Sequence, residues 1–193
     1  MGQFRMTSFS DVTLQTARLA LCPLEPAHTD AVFAMRSDPV VQRYGSHPAW
    51  TDRQKAVEYI ERNVQAMASG AFAQFAIVRR EDAAVVGTCT LFDLDAQCRR
   101  AQVGYVLLVS EWGKGYAGEA VRGLLDWGFE HLGLNRVEAD VDPRNAASAR
   151  LLERLGFARE GHLRERWIVG GEISDSLMYG LLAREWHERQ ERQ

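Results

Sequence analysis

Apolar residues recur along this chain with two different periods, and the switches between them mark out strands and helices. Residues 19–24 alternate apolar with other positions and are punctuated by Pro23 and Pro26, which predicts a first strand. From Ala27 the spacing of Ala31, Phe33, Ala34 and Met35 predicts a short helix that stops before Pro39. Residues 40–44 read as a further turn before the loop Gly45-Ser46-His47-Pro48. Thr51 or Asp52 can cap a longer helix whose stripe is Ala56, Val57, Ile60, Val64 and Met67, with a stop at Ser69-Gly70. Three period-two runs follow, 73–79, 85–92 and 100–109. A charged turn (Arg80-Glu81-Asp82) and a polar loop around Asp95-Ala96-Gln97 join them into an antiparallel meander.

Beyond residue 110 the period lengthens. Ala120, Val121, Leu124, Leu125, Gly128, Phe129 and Leu132 form one stripe over 115–132, which predicts a long helix. A short strand (136–141) and a second helix (146–155, with Leu151, Leu152 and Leu155 inward) come next. Residues 157–163, 166–169 and 173–182 predict closing strands, the last two joined by a Gly170-Gly171 hairpin turn. Strand, helices, meander, then strand–helix–strand–helix–strand is the order of a mixed α/β sheet with helices on its faces. A single domain over 13–186 is expected, with a loose polar segment at 1–12 and a charged tail at 187–193. A ligand crevice is expected at the carboxyl end of the strand that opens the 103–141 unit.

Composition narrows the functional classes. At 46% hydrophobic and 25% charged the chain sits in the ordinary globular range, and its 193 residues suit one core. The net charge of −3 argues against a dedicated nucleic-acid binder, which carries a basic excess. No apolar run reaches the ~18 residues of a membrane span, and the amino terminus lacks the apolar segment of a secretory signal, so a cytoplasmic location is expected. Cys22, Cys89 and Cys98 are too few and too dispersed for a disulfide framework or zinc, and the histidines lack ligand spacing; no metal site is expected. The sequence leaves homodimer formation open.

The informative segment runs from Gly104 to Ala120. An apolar strand enters a turn with glycines at 113, 115 and 118, and the turn opens the long helix. Glycines let several backbone N–H groups converge, and a helix N-terminus adds about half a positive charge, so the pattern suits an anion; Lys114 can add to it. A tight turn with no ligand fits the spacing as well. A Walker A loop fits badly, because Lys114 is followed by Gly115 and not by Ser or Thr. Gly113-Lys114-Gly115-Tyr116-Ala117-Gly118 satisfies G-x-G-x-x-G with Glu138 or Asp140 downstream, yet it follows a meander where a dinucleotide fold would open with it.

Trp112-Gly113-Lys114-Gly115-Tyr116-Ala117, preceded by Gly104-Tyr105-Val106-Leu107, resembles the acetyl-CoA loop of the GNAT superfamily of N-acetyltransferases. Further markers are Thr16-Ala17-Arg18-Leu19, the run Val141-Asp142-Pro143-Arg144-Asn145-Ala146-Ala147-Ser148 continuing through Phe157, and Gly170-Gly171-Glu172-Ile173-Ser174-Asp175 near the end. In this order they are similar to the RimJ/RimL-like branch, whose members acetylate protein N-terminal amines; the resemblance spans about 15–186. It departs at Trp112, where the superfamily usually has Arg or Gln. The resemblance implies a mostly antiparallel sheet splayed at the cofactor strand, with helices on both faces. It implies that Trp112, Gly113, Lys114, Gly115, Tyr116, Ala117 and Gly118 hold the CoA pyrophosphate. The backbone of Leu107, Leu108 and Val109 is then expected to pair with the pantetheine arm as an added strand.

Acetyl transfer to an amine needs a free lone pair, a stabilised oxyanion and a proton for the leaving thiolate. A backbone N–H near Leu108 or Val109 is expected to meet the oxyanion. Many relatives carry a tyrosine acid at the position of Leu152, which leaves Ser148 as the expected thiolate partner, with Asn145 on the pantetheine; either residue could also cap its helix. Where the family often has a glutamate before its Val-Gly-Tyr this chain has Gln102, so Glu165 and Glu111 are the candidate bases, with a water relay as the alternative and Asp175 a candidate hairpin anchor. The expected reaction is direct transfer in a ternary complex to a protein N-terminal amine. The alternatives are a small amine (a polyamine or antibiotic) and CoA binding without turnover.

Overall fold

The computed structural model describes residues 8–191. Its strands are β1 (Leu14–Gln15), β2 (Leu19–Pro23), β3 (Ala73–Arg79), β4 (Val85–Asp95), β5 (Arg100–Leu107), β6 (Arg136–Val141), β7 (Ala158–Val169) and β8 (Glu172–Leu182). Its helices are α1 (Thr29–Ser37), α2 (Pro39–Gln42), α3 (Gln54–Ser69), α4 (Tyr116–Glu130), α5 (Ala146–Leu155) and α6 (Ala183–Gln190). The strands make one sheet in the order β1-β2-β3-β4-β5-β6-β8-β7, in which β5–β6 is parallel and the other neighbours are antiparallel.

Local chemistry accounts for the element ends. The Asp52 carboxylate accepts from the Gln54 N–H at 2.9 Å, and Gly70 ends α3 at φ 72°. Asn145 caps α5 by accepting from the Ser148 N–H at 3.1 Å, and Gly156 ends it at φ 101°. Both glycines take the left-handed conformation that a side chain resists. Gly170 and Gly171, at φ 59° and 85°, make the hairpin turn with both central residues left-handed, as the β7–β8 pairing requires.

Two apolar clusters cover the two faces of the sheet. Ala120, Val121, Leu124 and Leu125 of α4 are fully buried in one, with Leu91 and Ala101 from the sheet beneath. Val32 and Met35 of α1 and Ala56 and Ile60 of α3 pack around Ala76 in the other. A fully buried leucine such as Leu124 contributes about 1.5–3 kcal/mol by removal from water.

Four readings of the sequence change. Residues 157–163 and 166–169 are one strand, β7, kinked where its register with β8 shifts between Leu163 and Trp167 and where Glu165 stands at φ 54°. The strand at 100–109 stops at Leu107, and residues 109–111 form a single 3-10 turn. Phe9 is not loose: it is buried, donates its N–H to the Met67 carbonyl at 2.8 Å and meets Trp127 edge-on. The tail expected from residue 187 is helical through Gln190, as the second half of a helix that Trp186 anchors by burying its ring and donating to Asp126 at 2.8 Å. The rest of the expected terminal segments, 1–7 and 192–193, lies outside the described residues.

The parallel pair is what opens the site. β5 and β6 share only three registered pairs, ending at Gln102 opposite Glu138, yet both strands run on, to Leu107 and Val141. They diverge into a V whose arms carry β5 into α4 and β6 into α5.

Candidate active site

The loop from Leu108 to Gly118 occupies the mouth of that V. Gly113 and Gly115 hold φ 77° and 82°, and a Cβ at Gly113 would meet nothing within 4 Å. The turn therefore stays open on its outer side. Gly115 caps α4, whose first N–H groups, on Tyr116, Ala117 and Gly118, have no partner within the helix. Glu119 braces this turn from behind: it accepts from the Thr16 hydroxyl at 2.6 Å, from the Arg18 N–H at 2.7 Å and from Arg18 Nε at 2.7 Å. Arg18 donates in turn to the Lys114 carbonyl at 3.0 Å and lies over the Tyr116 ring. Thr16 and Arg18, quoted from the sequence only as markers, thus fix the loop from the β1–β2 corner.

Glu111, a candidate base, is not a free carboxylate. It is 8% exposed and clamped by Arg79 at 2.9 Å and Lys114 at 3.0 Å. Lys114 first, and Arg79 behind it, hold its carboxyl below the usual glutamate range, so it is a poor proton acceptor and a good anchor. The same pair turns the Lys114 ammonium back onto the protein, which leaves its backbone as its contribution to the loop.

Trp112, where the superfamily prefers Arg or Gln, donates its indole N–H to the Leu107 carbonyl at 3.0 Å. Leu108 donates to the Val86 carbonyl and accepts from the Glu111 N–H, both at 3.0 Å, so its backbone is spent inside the protein. Because antiparallel pairing alternates along a strand, the N–H groups of Tyr105 and Leu107 face the open side of β5. The group on offer to an incoming chain is the Leu107 N–H. Leu108, expected for that purpose, is not available.

A cavity of about 1320 Å³ runs from this loop across to α5. Leu107, Trp112, Gly113, Gly115, Tyr116, Ala117 and Gly118 line one side, and Asn145 and Ser148 the other; Leu108, Val109 and Lys114 do not line it. Ser148 Oγ lies 2.7 Å from the Tyr105 hydroxyl, which reaches across the V from β5. Burial pushes the Tyr105 phenol up to about 12. The sequence carried Tyr105 as part of a motif and gave no hint of this contact, since it depends on where α5 docks.

A second cavity, about 710 Å³, adjoins the first along Tyr44, Tyr105, Val106 and Arg144. Asp140, on β6 and 14% exposed at its side chain, lines it and accepts from the Trp167 indole at 3.1 Å. Trp167 lines this cavity as well. Glu165 does not: the left-handed bulge at that residue turns it away, and its N–H donates to Asp175 at 2.8 Å. Asp175 also takes the His162 ring nitrogen at 2.7 Å, which makes it the hairpin anchor. Among the described residues no group of three or more His, Cys, Asp and Glu is placed to hold a metal ion, and no helix is long and apolar enough to cross a membrane.

Known proteins show the same architecture. Residues 18–158 match the family model described as an acetyltransferase (GNAT) domain. An N-acetyltransferase of Bacillus licheniformis, the uncharacterized p20, is 39% identical over 174 residues, covering 90% of this chain and 98% of that one. A solved GNAT-family acetyltransferase from Bacillus anthracis superposes with a TM-score of 0.82 at 25% identity, over 90% of this chain and 100% of that one. Mycobacterium smegmatis RimJ, solved with CoA-disulfide, shares the fold at a TM-score of 0.83 and 24% identity, over 93% of this chain and 91% of that one. The splayed β5–β6 pair, the open glycine turn at the head of α4 and this match over 18–158 lead to one conclusion: the chain belongs to the GNAT family of acetyl-CoA-dependent N-acetyltransferases.

Proposed function

We propose that the larger cavity takes acetyl-CoA, that the smaller takes the N-terminus of a peptide or protein, and that the acetyl group passes directly between them where the two meet. The observation that carries this reading is the shared wall at Tyr44, Tyr105 and Arg144, which lets both substrates be held at once. The donor side fits: the outward N–H groups of the Gly113–Gly118 turn suit a pyrophosphate, and the Leu107 N–H suits an extended amide-bearing arm. The Asn145 side-chain oxygen is used by its cap, which leaves its amide nitrogen to donate to the same arm.

Charge argues for a peptide over a polyamine. The smaller cavity is lined by four arginines (36, 43, 144 and 166) and four carboxylates (Asp93, Asp140, Asp142 and Glu172), so it offers a polycation no net attraction. Asp142 and Glu172 are tied to Arg144, and Asp93 accepts from Gln102. Asp140 is held more loosely, by the Trp167 indole at 3.1 Å and by Arg166 at 4.0 Å, both on one carboxylate oxygen, and is the carboxylate assigned to a single incoming ammonium.

Acetyl-CoA supplies an activated thioester. The chain's part is to hold it, to stabilise the oxyanion with the preorganised Tyr105 N–H, which faces the same open side of β5 as that of Leu107, and to meet the leaving sulfur with the Ser148 hydroxyl. An α-amine with a pKa near ~8 is roughly a quarter neutral at about pH 7.5, whereas a lysine near ~10.4 is neutral only about one part in a thousand. No strong base is required for the former, and water suffices to carry its proton away. Of the two glutamates offered for that role, Glu111 borders the larger cavity but is held in its clamp by Arg79 and Lys114, and Glu165 stands on the bulge, outside both cavities.

The test is an initial-rate comparison of thiol release from acetyl-CoA. The acceptors are a peptide with a free α-amine, the same peptide blocked there but carrying a lysine, and spermidine. The free α-amine is expected to be preferred; a preference for spermidine would overturn the acceptor assignment.

A further inference from the structure

We infer that Tyr105 works behind Ser148, donating its phenolic hydrogen to Ser148 Oγ so that the serine hydroxyl is aimed into the larger cavity at the leaving sulfur. This rests on the placement of Ser148 beside the thioester proposed above and adds to it a second residue from another element.

Three features support it. The two oxygens are 2.7 Å apart, a short hydrogen bond between hydroxyls. Either atom could donate, but the surroundings favour one sense. The Ser148 N–H is held by the Asn145 side chain, which fixes the serine backbone at the head of α5 and leaves only the hydroxyl rotor free. If that rotor pointed at Tyr105, the serine would present lone pairs to the cavity and repel a thiolate. With Tyr105 as donor the serine O–H is released toward the cavity that both residues line. The bond is also polarised, because a hydroxyl that accepts one hydrogen bond donates a stronger one.

The ionisation order settles what the pair does. A thiol ionises near ~8.5, far below the Tyr105 phenol, so the tyrosine keeps its proton while the thiolate departs. The C–S bond breaks with its electron pair going to sulfur, Ser148 hydrogen-bonds the charge as it develops, and the proton that finally neutralises the thiol is the one the acceptor nitrogen loses on becoming an amide. Tyr105 is thus a positioning residue. Leu152, one helical turn past Ser148, is fully buried in the core and offers nothing polar to the cavity.

The experiment is a double-mutant cycle over wild type, Tyr105→Phe, Ser148→Ala and the double variant. It is read with whichever acceptor of the panel above releases thiol, so a wrong acceptor and a wrong tyrosine give separate outcomes. Tyr105→Phe keeps the ring and is expected to lower kcat about 5- to 20-fold, the worth of one aimed hydrogen bond, with KM for acetyl-CoA and calorimetric affinity for CoA within about twofold of wild type. In the Ser148→Ala background the same change should cost less than about twofold, since nothing remains to aim. Ser148→Thr, which retains the hydroxyl, should recover turnover only while Tyr105 is present. Equal losses in both backgrounds, an unchanged kcat, or a loss confined to KM would overturn the inference. Thiol release with no acceptor at all would overturn the proposed function and this inference with it.

Discussion

Gly115 separates a ligand role from a structural one, because the same fold provides its control. Both Gly115 and Gly133 are left-handed, at φ 82° and 65°; Gly115 heads α4 beside the large cavity, whereas Gly133 lies in the turn between α4 and β6 and lines neither cavity. An added Cβ would meet only Arg18 Nη2, at 3.3 Å, in the first case and nothing within 4 Å in the second. Alanine at either site therefore carries mainly the backbone penalty, about 1–2 kcal/mol. In a chain of this size that lowers Tm by about 2–8 °C, and by a similar amount for the two. Their effects on CoA should diverge. A shift at residue 115 misaims the amides that follow, and losing one charge-assisted hydrogen bond costs about 1.5–3 kcal/mol, or roughly 10- to 150-fold in Kd. Gly133→Ala should leave Kd unchanged. Melting curves and CoA calorimetry on both variants make the test. Parallel losses of affinity, or an unaffected Gly115→Ala, would refute the idea that the turn is an anion receptor.

The other expectations concern the charged groups. The Glu111 carboxyl has a folded pKa below its ordinary value of 4.5, so its clamp stabilises fully above that value and is lost as pH falls through the lowered folded one. The Tm gap between wild type and Glu111→Gln should therefore be present near neutrality and close in acid; a gap that does not depend on pH would contradict the clamp. Asp140→Asn should raise KM for a peptide acceptor by about 5- to 30-fold while leaving that for acetyl-CoA alone, since it removes one charged contact worth about 1–2 kcal/mol. An unchanged acceptor KM would remove Asp140 from recognition. Glu165→Gln should keep turnover within about twofold of wild type; a loss of a hundredfold or more, the scale of a removed general base, would return Glu165 to the chemistry.

The parts of this fold that were legible in the sequence are those set by local rules. The stripe of α4, the Asn145 cap, the stop at Gly70 and the double-glycine hairpin each depend on residues within a turn of one another. The glycine turn at 113–118 was legible for the same reason. What escaped depends on contacts between distant segments or on strained backbone. Glu165 has no local signal for a left-handed bulge, so two strands were expected where there is one and the glutamate was placed in the cleft. Of the two cations that clamp Glu111, Lys114 is three positions on, but Arg79 is thirty-two positions earlier and beyond any local rule. The Tyr105–Ser148 contact spans forty-three positions and exists only because β5 and β6 part and α5 fills the gap. Trp112 shows the reverse: an unusual residue at a motif position is accommodated locally, by an indole bond to Leu107.

The central claim, that the amides at the head of α4 receive the donor's diphosphate, is met most directly by backbone amide NMR during a titration with CoA. The account predicts saturable shifts concentrated on Gly113, Gly115, Tyr116, Ala117 and Gly118, with Leu107 moving and Leu108 nearly still. Saturable shifts that bypass these residues, or none on adding CoA, would contradict it.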